Sequence, residues 1–366
     1  MKYYLIAGEA SGDLHASALM RELRALDPAA DFRCWGGDMM AAEGGKLVKH
    51  YRELAFMGFL EVALNITTIM ANLRLCRQDM LDYGPDALIL IDYPGFNLRI
   101  AEFAHKQGFK VFYYISPQIW AWKKSRVHQI RRTVDRMFVI LPFEKEFYAG
   151  YGIEVEFVGH PLMDVVAAAV TGSGEGKTAA GERPVVALLP GSRKQEIRRI
   201  LPYMASMADK FPDYQFIIAG APSVEPRFYQ GILGTRDIRI IFGRTYELLR
   251  QAHAALVTSG TATLEAALFN VPQVVCYKGG AISYFIARRL VDVKYISLVN
   301  LIAGRAVVKE LIQGDLNSRN LQLELSGILD GPEREKLLDG YRKLKGMLGT
   351  TGAAGKVAAG IIRRIS

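Results

Sequence analysis

The chain has 366 residues, enough for two domains that each bury a hydrophobic core. Half of the residues are hydrophobic and 23% are charged, a composition that excludes disordered and fibrous proteins. The formal charge of +9 favours anionic partners, among them nucleotides, phosphorylated lipids, nucleic acid and membrane surfaces.

Cysteine and histidine positions bear on the compartment and on metal binding. Cys34, Cys76 and Cys276 form no CxxC pair, and the six histidines show no metal-ligand spacing. This pattern indicates a reducing compartment and argues against disulfides or a structural zinc site. The N-terminal apolar run is too short for a signal peptide, so we expect a cytosolic protein, with membrane contact left open.

Short β-branched or aromatic runs alternate with helical stretches through the first half of the chain. Segments such as 13–26 and 96–107 have helical length and period. The alternation predicts an α/β domain with a largely parallel sheet over residues 1–170. The predicted strands are 3–8, 32–37, 87–92, 110–116, 136–141 and 155–160.

The pattern is interrupted at residues 171–183, a glycine-rich and polar segment that we predict to be a linker. The alternation then restarts and predicts a second α/β domain over 184–345. For the last segment, 346–366, the sequence predicts a helix that packs on the first domain or on a partner subunit of a homodimer. The predicted strands of the second domain are 185–190, 214–220, 238–242, 254–258 and 273–277.

Together these elements predict an α/β protein with two Rossmann-like, doubly wound domains and an interdomain cleft. In open α/β sheets, ligands bind outside the carboxyl ends of the strands. The segments that follow predicted strands are therefore the places to look for functional side chains.

The segment SGTATLE follows the predicted strand 254–258. Ser259, Gly260 and Thr261 open a helix whose unpaired N–H groups and dipole suit a diphosphate. Glu265 lies about 6 Å further along the helix axis, at 1.5 Å per residue, where it can accept hydrogen bonds from ribose hydroxyls. A capped helix start with a dipole-favoured glutamate is the alternative, and the sequence leaves it open.

A second anion site is expected where LLPGSRK leads from strand 185–190 into a helix. Ser192 and Arg193 lie at the turn, and an arginine fork can bind the oxygens of a leaving diphosphate. For the lysine and arginines that follow, an exposed basic helix face is the simpler interpretation.

Two strand ends in the first half also carry candidate side chains. ALILIDYPGFN places Asp92 at the end of an apolar strand, where its carboxylate could remove a proton from an attacking hydroxyl. An aspartate that caps the turn before Pro94 and Gly95 is the alternative. AGEASGD offers Glu9 and Ser11 at another strand end, but it lacks the full GxGxxG fingerprint of dinucleotide sites.

Residues 54–75 form the most apolar region of the chain, and polar residues interrupt it often enough to exclude a transmembrane span. Core packing and contact with an acyl chain or membrane both remain open. The candidate contact residues are Phe56, Met57, Phe59 and Leu60.

Residues 120–136 combine two tryptophans with six lysines and arginines against one aspartate. Tryptophan beside basic residues suits a lipid headgroup interface, and the same composition suits nucleic acid. A solvated basic helix face beside core tryptophans is the third interpretation. The candidate membrane residues here are Trp120, Trp122, Lys123 and Lys124.

Eight short motifs give the chain a resemblance to a known family. In order they are GEASGD, LIDYPGFN, SPQIWAW, LPFEKEFY, FVGHP, LLPGSR, SGTATLE and SLVNLIAGR. Through them the chain resembles the lipid-A-disaccharide synthases of Gram-negative bacteria from residue 3 to Leu311. Two positions depart from the family pattern: Gly95 stands where larger residues are common, and Val299 where proline frequently precedes the asparagine.

The resemblance implies an inverting glycosyltransferase of the GT-B type that needs neither metal nor cofactor. The implied reaction transfers 2,3-diacylglucosamine from UDP-2,3-diacylglucosamine to the 6-hydroxyl of 2,3-diacylglucosamine 1-phosphate (lipid X). It gives a β-1,6 disaccharide and UDP in the biosynthesis of lipid A and lipopolysaccharide. A peripheral protein on the cytoplasmic face of the inner membrane is implied, with the anionic membrane surface and no nucleic acid as a partner.

The resemblance also assigns roles to individual residues. Asp92 is the implied base, and Glu265 would hold the ribose of the donor. Arg193 and Asn300 would face the donor diphosphate. The residues implied on the sugar and acceptor side are Glu9, Ser11 and Gln118.

Two rival functions belong to other classes of protein. A UDP-sugar 2-epimerase shares the two-domain architecture and a UDP pocket but acts on one sugar. A non-catalytic binder of nucleic acid or anionic membrane would use the basic tryptophan segment and would not need Asp92, Arg193 or Glu265.

Overall fold

The computed structural model describes residues 1–54, 66–122, 124–171, 183–280 and 294–365. The chain divides into two compact units, Met1–Pro161 together with Gly349–Ser366, and Leu162–Leu348. The first unit thus ends at Pro161, before residue 170, where the sequence analysis put the boundary. Residues 172–182 of the expected linker lie outside the described residues.

Seven strands form a parallel sheet in the first unit. The strands are β1 (Lys2–Ala7), β2 (Asp31–Gly36), β3 (Lys46–His50), β4 (Ala87–Ile91), β5 (Val111–Tyr114), β6 (Arg136–Val139) and β7 (Glu156–Phe157). Their order across the sheet is β3-β2-β1-β4-β5-β6-β7. Strand β4, ALILI, is buried along its whole length, as expected for a central strand whose two faces are both covered.

Helices connect these strands and cover the sheet. They are α1 (Ala10–Leu26), α2 (Asp38–Ala42), α3 (Ile66–Tyr83), α4 (Pro94–Lys106), α5 (Ile119–Trp122), α6 (Val127–Thr133) and α7 (Pro142–Ala149). Two 3₁₀ turns, Tyr51–Glu53 and Lys124–Arg126, precede α3 and α6 along the chain. Within the described ranges, no helix has the length and apolar character needed to span a membrane.

The second unit repeats this architecture with six parallel strands. The strands are β8 (Val185–Leu189), β9 (Gln215–Gly220), β10 (Arg239–Phe242), β11 (Ala252–Thr258), β12 (Gln273–Tyr277) and β13 (Lys309–Ile312), in the order β10-β9-β8-β11-β12-β13. The helices are α8 (Leu162–Thr171), α9 (Lys194–Ala205), α10 (Pro226–Leu233), α11 (Thr245–Gln251), α12 (Thr261–Leu268), α13 (Leu298–Ala303), α14 (Ser318–Leu329) and α15 (Pro332–Met347).

The last helix, α16 (Ala353–Ile365), packs on the first unit. Its buried residues Val357 and Ile361 share a hydrophobic cluster with Leu19 and Leu23 of α1. The sequence analysis predicted that this helix packs either on the first domain or on a partner subunit, and in the structure it packs on the first domain.

Two parallel sheets with interleaved helices confirm the predicted doubly wound α/β class. The strands that the sequence analysis missed are β3, KLVKH, and β13, KELI, each at one edge of its sheet. Edge strands are short and often charged, which protects them from pairing with other chains and weakens their hydrophobic pattern.

Each sheet has one point where the chain reverses its direction of growth. In the first unit this point lies between β1 and β4, and in the second it lies between β8 and β11. The loops that leave the two neighbouring strands diverge there and leave a crevice for ligands.

Candidate active site

The reversal point of the first unit brings Glu9 and Asp92 near each other. Strands β1 and β4 are paired up to Ala7 and Ile91, and both chains continue into loops at the same edge of the sheet. Glu9 is the N-cap residue of α1, and Asp92 directly follows β4. The structure therefore brings together two of the carboxylates that the sequence analysis selected.

The backbone at Asp92 is held in a strained turn. Asp92 has φ of 44° and Tyr93 has φ of 48°, in the left-handed region that residues other than glycine rarely adopt. The Asp92 carbonyl accepts hydrogen bonds from the Tyr113 hydroxyl at 2.5 Å and from the Asn97 side-chain amide at 2.7 Å. Strain of this kind persists only where the surroundings impose it, and it is concentrated at functional sites.

A close contact between the two loops fixes their separation. A Cβ atom added at Gly8 would lie 2.3 Å from the ring of Tyr93, so only glycine fits there. The Tyr93 hydroxyl in turn donates to the carbonyl of Leu54 at 3.1 Å. The glycine of GEASGD therefore serves the approach of Tyr93, and with it the placement of Asp92 beside β1.

The environment of Asp92 changes its acidity. Burial raises the pKa of the carboxyl to about 6, and the negative charge of Glu9 adds to the rise, while the Tyr93 backbone N–H acts in the opposite direction. A carboxylate with such a pKa is still ionised at neutral pH and is a stronger base than an ordinary aspartate. The N-cap residue of α4 is Tyr93, and no side-chain cap bond is made there, so Asp92 is not the cap of this helix.

The other predicted residues of this unit lie at the surface around these loops. Ser11, in the first turn of α1, and Gln118, just before α5, are both exposed. Asp13, the last residue of GEASGD, accepts hydrogen bonds from the backbone N–H groups of Gly37, Met39 and Met40. It therefore fixes the start of α2 rather than its own turn.

The sequence analysis missed a second carboxyl group with a raised pKa in this unit, the buried Glu144 in LPFEKEFY. Its carboxylate accepts a hydrogen bond from the backbone N–H of Leu141 at 2.9 Å. Burial raises the pKa of Glu144 to about 7, against hydrogen bonds from Leu141 and the Ser116 side chain that lower it. Leu141 has no side-chain acceptor to complete a capping box, so the sequence carried only half of that motif, the glutamate three residues after the N-cap position.

In the second unit, a cavity of about 460 Å³ opens at the reversal point between β8 and β11. Six of the seven residues predicted to bind the donor line it, namely Ser192, Arg193, Ser259, Gly260, Thr261 and Glu265. The sequence analysis missed other lining residues at the ends of β9 and β11 and at the start of α11, among them Ala219, Gly220, Ala221, Pro222, Thr245 and Thr258.

Backbone geometry makes this cavity suitable for an anion. The N-termini of α9 and α12 both lie at it, and helix N-termini offer N–H groups and a positive dipole end. Gly191 has φ of 107° and would bring an added Cβ within 2.8 Å of Glu196, so the turn requires glycine. The buried hydroxyl of Thr258 lines the cavity without a hydrogen-bond partner in the described structure.

Charged side chains at the cavity are arranged around this anion site. Arg193 is exposed and forms an ion pair of 3.3 Å with Glu196 one turn later. Ser259 donates its hydroxyl hydrogen to the carbonyl of Ile296 at 2.8 Å, so it ties the loop before α13 to the cavity. The basic residues that follow Arg193 belong to the surface of α9. Of these, Lys194 and Arg198 lie over the ring of Phe228.

Glu265 lies where this cavity meets a second one of about 420 Å³, which is also lined by Gly243 and Tyr246. Its carboxylate accepts a hydrogen bond of 2.9 Å from the Tyr246 hydroxyl. Burial raises the pKa of Glu265, and the bond from Tyr246 lowers it. Tyr246 is itself stacked on Phe269, so this partner of Glu265 is held in place.

Asn300 requires a correction to the predicted site. Its side chain is buried, donates to Val308 O and Glu310 Oε1, and accepts from the N–H groups of Val307 and Val308. An amide side chain has two donors and two acceptor lone pairs, so no capacity remains for a diphosphate. In the described structure Asn300 holds the loop after α13 and does not line the cavity.

The predicted membrane residues divide into three groups. Lys124 is exposed in the turn before α6. The membrane contact predicted for Trp120 is corrected by its burial. Its indole packs edge-to-face against Phe143, with 4.9 Å between the ring centres, and is part of the hydrophobic packing. The residues Phe56, Met57, Phe59, Leu60 and Lys123 and the side chain of Trp122 lie outside the described residues.

One unit thus holds a cavity suited to an anion, with a carboxylate at its junction to a second cavity, and the other unit holds Asp92, a carboxyl group of raised pKa near Glu9. Together with the two doubly wound sheets, these sites define an enzyme of the nucleotide-sugar glycosyltransferase class. Over residues 3–350 the sequence matches the model of the lipid-A-disaccharide synthetase family, and the chain belongs to that family.

Relatives in this family are similar along the whole chain. The lipid-A-disaccharide synthase of Syntrophus aciditrophicus is 42% identical over 365 residues, which cover 97% of this chain and 95% of that protein. The enzyme of the same name from Geobacter sulfurreducens is 40% identical, with coverage of 99% and 96%. The predicted family and the predicted type of enzyme are confirmed.

Solved structures show how widely the fold is shared. The UDP-GlcNAc 2-epimerase from Neisseria meningitidis bound to UDP-GlcNAc has a TM-score of 0.68 at 13% identity, covering 99% of this chain and all 100% of that one. The glycosyltransferase of kitacinnamycin has a TM-score of 0.69 at 14% identity, covering 100% and 99%. At such identities the likeness shows the fold alone, two Rossmann-like domains.

Proposed function

We propose that the chain transfers 2,3-diacylglucosamine from UDP-2,3-diacylglucosamine to the 6-hydroxyl of 2,3-diacylglucosamine 1-phosphate. The products are a β-1,6-linked disaccharide 1-phosphate and UDP, with inversion at the transferred carbon. Membership of the synthetase family supports this reaction, and so does the presence of an anion cavity and a basic carboxylate in separate units.

The two cavities of the second unit support separate positions for the diphosphate, the base and the ribose of the donor. The diphosphate would occupy the cavity at the N-termini of α9 and α12, and the base would occupy the cavity beside Tyr246. The ribose would then lie at their junction, where Glu265 has one carboxylate oxygen bound to Tyr246 and the other available to a ribose hydroxyl. This explains a carboxylate in an otherwise apolar helix.

Asp92 would act as the base in the transfer step. It takes the proton of the acceptor 6-hydroxyl as that oxygen bonds to the anomeric carbon of the donor. The bond between the anomeric carbon and the β-phosphate oxygen breaks, and UDP leaves with the electron pair. Arg193 and the helix N-termini would stabilise the charge that develops on the diphosphate.

The observation that carries the proposal is the position and the raised pKa of Asp92, because a transfer between two sugars needs a base for the acceptor hydroxyl. The carboxylate stands at the reversal point, half-buried and with a pKa raised to about 6, and the Asp92 backbone is held by Tyr113 and Asn97. The resemblance to epimerase structures, at 13% identity, reaches only the fold.

The experiment is to incubate the purified chain with the UDP donor in nonionic detergent, with and without the sugar 1-phosphate acceptor. UDP and sugar products are followed by mass spectrometry. We expect UDP and a phosphorylated tetra-acyl disaccharide only when both substrates are present. Epimerised donor in the absence of acceptor would contradict the proposal, and so would a lack of turnover across a series of acyl-chain lengths.

We also propose that the chain acts as a peripheral protein on an anionic membrane, at the cytoplasmic face of the inner membrane. Lys124, Arg131 and Arg132 are exposed in and around α6, and Met70 and Leu75 are exposed on α3. Vesicles that contain phosphatidylglycerol should sediment the protein at low salt and release it at high salt. Equal binding to neutral vesicles would contradict the electrostatic part of this proposal.

A further inference from the structure

Hydroxyl side chains at the end of β11 and the start of α12 differ in whether they are hydrogen-bonded. Ser259 donates its hydroxyl to the carbonyl of Ile296 at 2.8 Å, and Thr263 donates to the carbonyl of Gly260 at 2.7 Å. The Oγ1 atom of Thr258, the last residue of β11, has no partner in the part of the chain that the structure describes. The proposed reaction assigns no role to this hydroxyl.

The Thr258 side chain is well buried, with 5% of the residue exposed. Its hydroxyl oxygen is shielded from solvent, so it has lost its hydrogen bonds to water without gaining a protein partner. Buried polar groups in folded proteins are nearly always hydrogen-bonded, because an unpaired one costs stability. An exception that lines a ligand cavity is explained if a bound ligand supplies the partner.

Thr258 lies between the two strands that flank β11. Strand β11 is paired with β8 up to Val257 and Leu189, and with β12 up to Thr258 and Cys276. The side chain reaches the turn after β8, since a Cβ atom added at Gly191 would lie 3.5 Å from the Thr258 methyl carbon Cγ2. Thr258 therefore stands where the cavity of about 460 Å³ meets the sheet, beside the turns that lead into α9 and α12.

A threonine side chain can present either its methyl group or its hydroxyl to the same place. The two groups share one Cβ atom, and a rotation of about 120° around Cα–Cβ moves the hydroxyl to the position that the methyl group held. For Thr258 this rotation brings Oγ1 to the Gly191 turn, without breaking a hydrogen bond of the described structure. Helix N-termini bind anions at this cavity, and a hydroxyl donates well to a charged phosphate oxygen.

We propose that the Thr258 hydroxyl donates a hydrogen bond to an oxygen of the donor diphosphate. This inference rests on the proposed function, which gives the chain a UDP-sugar donor with its diphosphate in this cavity. Ser259 is the less suitable hydroxyl, because it already donates to Ile296 and would have to give up that bond. The bond from Thr258 is made to the phosphate groups that UDP shares with the donor, so it contributes to the binding of both.

The test is Thr258→Val, which replaces the hydroxyl by a methyl group and keeps the branched shape. We expect the Kd of UDP to rise roughly tenfold or more, the loss of one hydrogen bond to a charged acceptor. The Kd of uridine, which has no phosphate, should change less than about twofold. Titration calorimetry measures UDP, and ligand-observed NMR measures the weaker uridine. The melting temperature without ligand should stay equal or rise, because the variant removes a buried hydroxyl that has no partner.

Two further variants separate ligand binding from a structural effect. Thr258→Ser keeps the hydroxyl and loses the methyl group, so it should retain most of the UDP affinity. Thr133→Val is the matched control, because Thr133 is also buried but donates its hydroxyl to the carbonyl of Gln129 at 2.9 Å in the first unit. It should lower the melting temperature and leave the Kd of UDP unchanged.

An unchanged Kd of UDP in Thr258→Val would overturn the proposal. A lowered melting temperature without ligand, or an equal loss of affinity for uridine, would also overturn it, since the hydroxyl would then serve the fold. A chain that binds UDP through Thr258 and forms no disaccharide would keep this site and contradict the proposed transfer. A chain that forms the disaccharide and whose UDP affinity ignores Thr258→Val would contradict this inference alone. Failure of the unmodified chain to bind UDP would contradict both.

Discussion

The two units have the same topology at their reversal points and opposite chemistry. Between β1 and β4, the first unit brings Glu9 and Asp92 together, and Asp92 is held in a strained and half-buried turn. Between β8 and β11, the second unit places glycines and helix N-termini around an open cavity. The first arrangement suits the base that we propose, and the second suits the binding of an anion. The comparison shows that the fold fixes where a site lies, while a few loop residues decide its charge.

The largest expected effect tests the base in the first unit. Asp92→Asn keeps the size of the side chain and removes its basicity, so kcat should fall by roughly 100-fold or more. Donor KM and the melting temperature should stay near their original values. The matched control is Asp86→Asn at the opposite end of β4, where the carboxylate accepts a hydrogen bond from the backbone of Lys2. A rate within a factor of about five of the original would remove Asp92 from this role.

The second test asks whether ligand binding in the other unit depends on a buried side chain. Asn300→Ala leaves the N–H groups of Val307 and Val308 and the carbonyl of Val308 without their partner, so stability should fall by about 2–3 kcal/mol. Urea unfolding measures this loss. Donor KM measured well below the unfolding temperature should change less than about threefold. A large rise in donor KM with unchanged stability would restore Asn300 to the diphosphate.

Much of this comparison was predictable from the sequence. Strong hydrophobic runs predicted the approximate positions of the strands. A loop that follows a strand in a parallel sheet must lie at the carboxyl edge of the sheet, where ligands bind. The placement of Asp92, Arg193 and Glu265 near that edge was predicted in this way. Contacts between residues distant in the chain could not be found, because no local pattern records them. The hydrogen bond from Tyr246 to Glu265 and the burial of Glu144 are of this kind. The saturation of Asn300 depends on the conformation of the loop that follows it, which no residue pattern records either.

The third test sharpens the account of the cavity junction in the second unit. Glu265→Gln replaces a carboxylate oxygen by an amide, so donor KM and the Kd of UDP should rise roughly tenfold, the loss of one charged hydrogen bond. Tyr246→Phe keeps the stacking on Phe269 and removes only the hydroxyl, so the same constants should rise a few-fold. Acceptor KM should not respond to either substitution. Unchanged UDP affinity in Glu265→Gln would contradict the ribose role.

The smallest expected effect is a shift in the pH dependence of the rate. It tests whether Asp92 or Glu144, the two carboxyl groups of raised pKa in the first unit, controls the rate. A base must be ionised, so kcat/KM should fall as the pH is lowered through about 6, the pKa of Asp92. Glu144, with a pKa of about 7, is the competing source of such a decline. The negative charge of Glu9 contributes to the raised pKa of Asp92, and it has no part in that of Glu144. Glu9→Gln should therefore move the decline to lower pH by a fraction of a unit.

The matched variant is Glu144→Gln, which should leave the position of that decline unchanged. Its effect should appear in stability instead. Because the folded-state pKa of Glu144 lies above the unfolded value near 4.5, the folded chain binds the extra proton between these two values, and its stability falls as the pH rises through them. Glutamine cannot titrate, so the melting temperature of Glu144→Gln relative to the original chain should rise from pH 5 to pH 8. If Glu144→Gln shifted the pH at which kcat/KM declines and Glu9→Gln did not, the control of the rate would belong to Glu144.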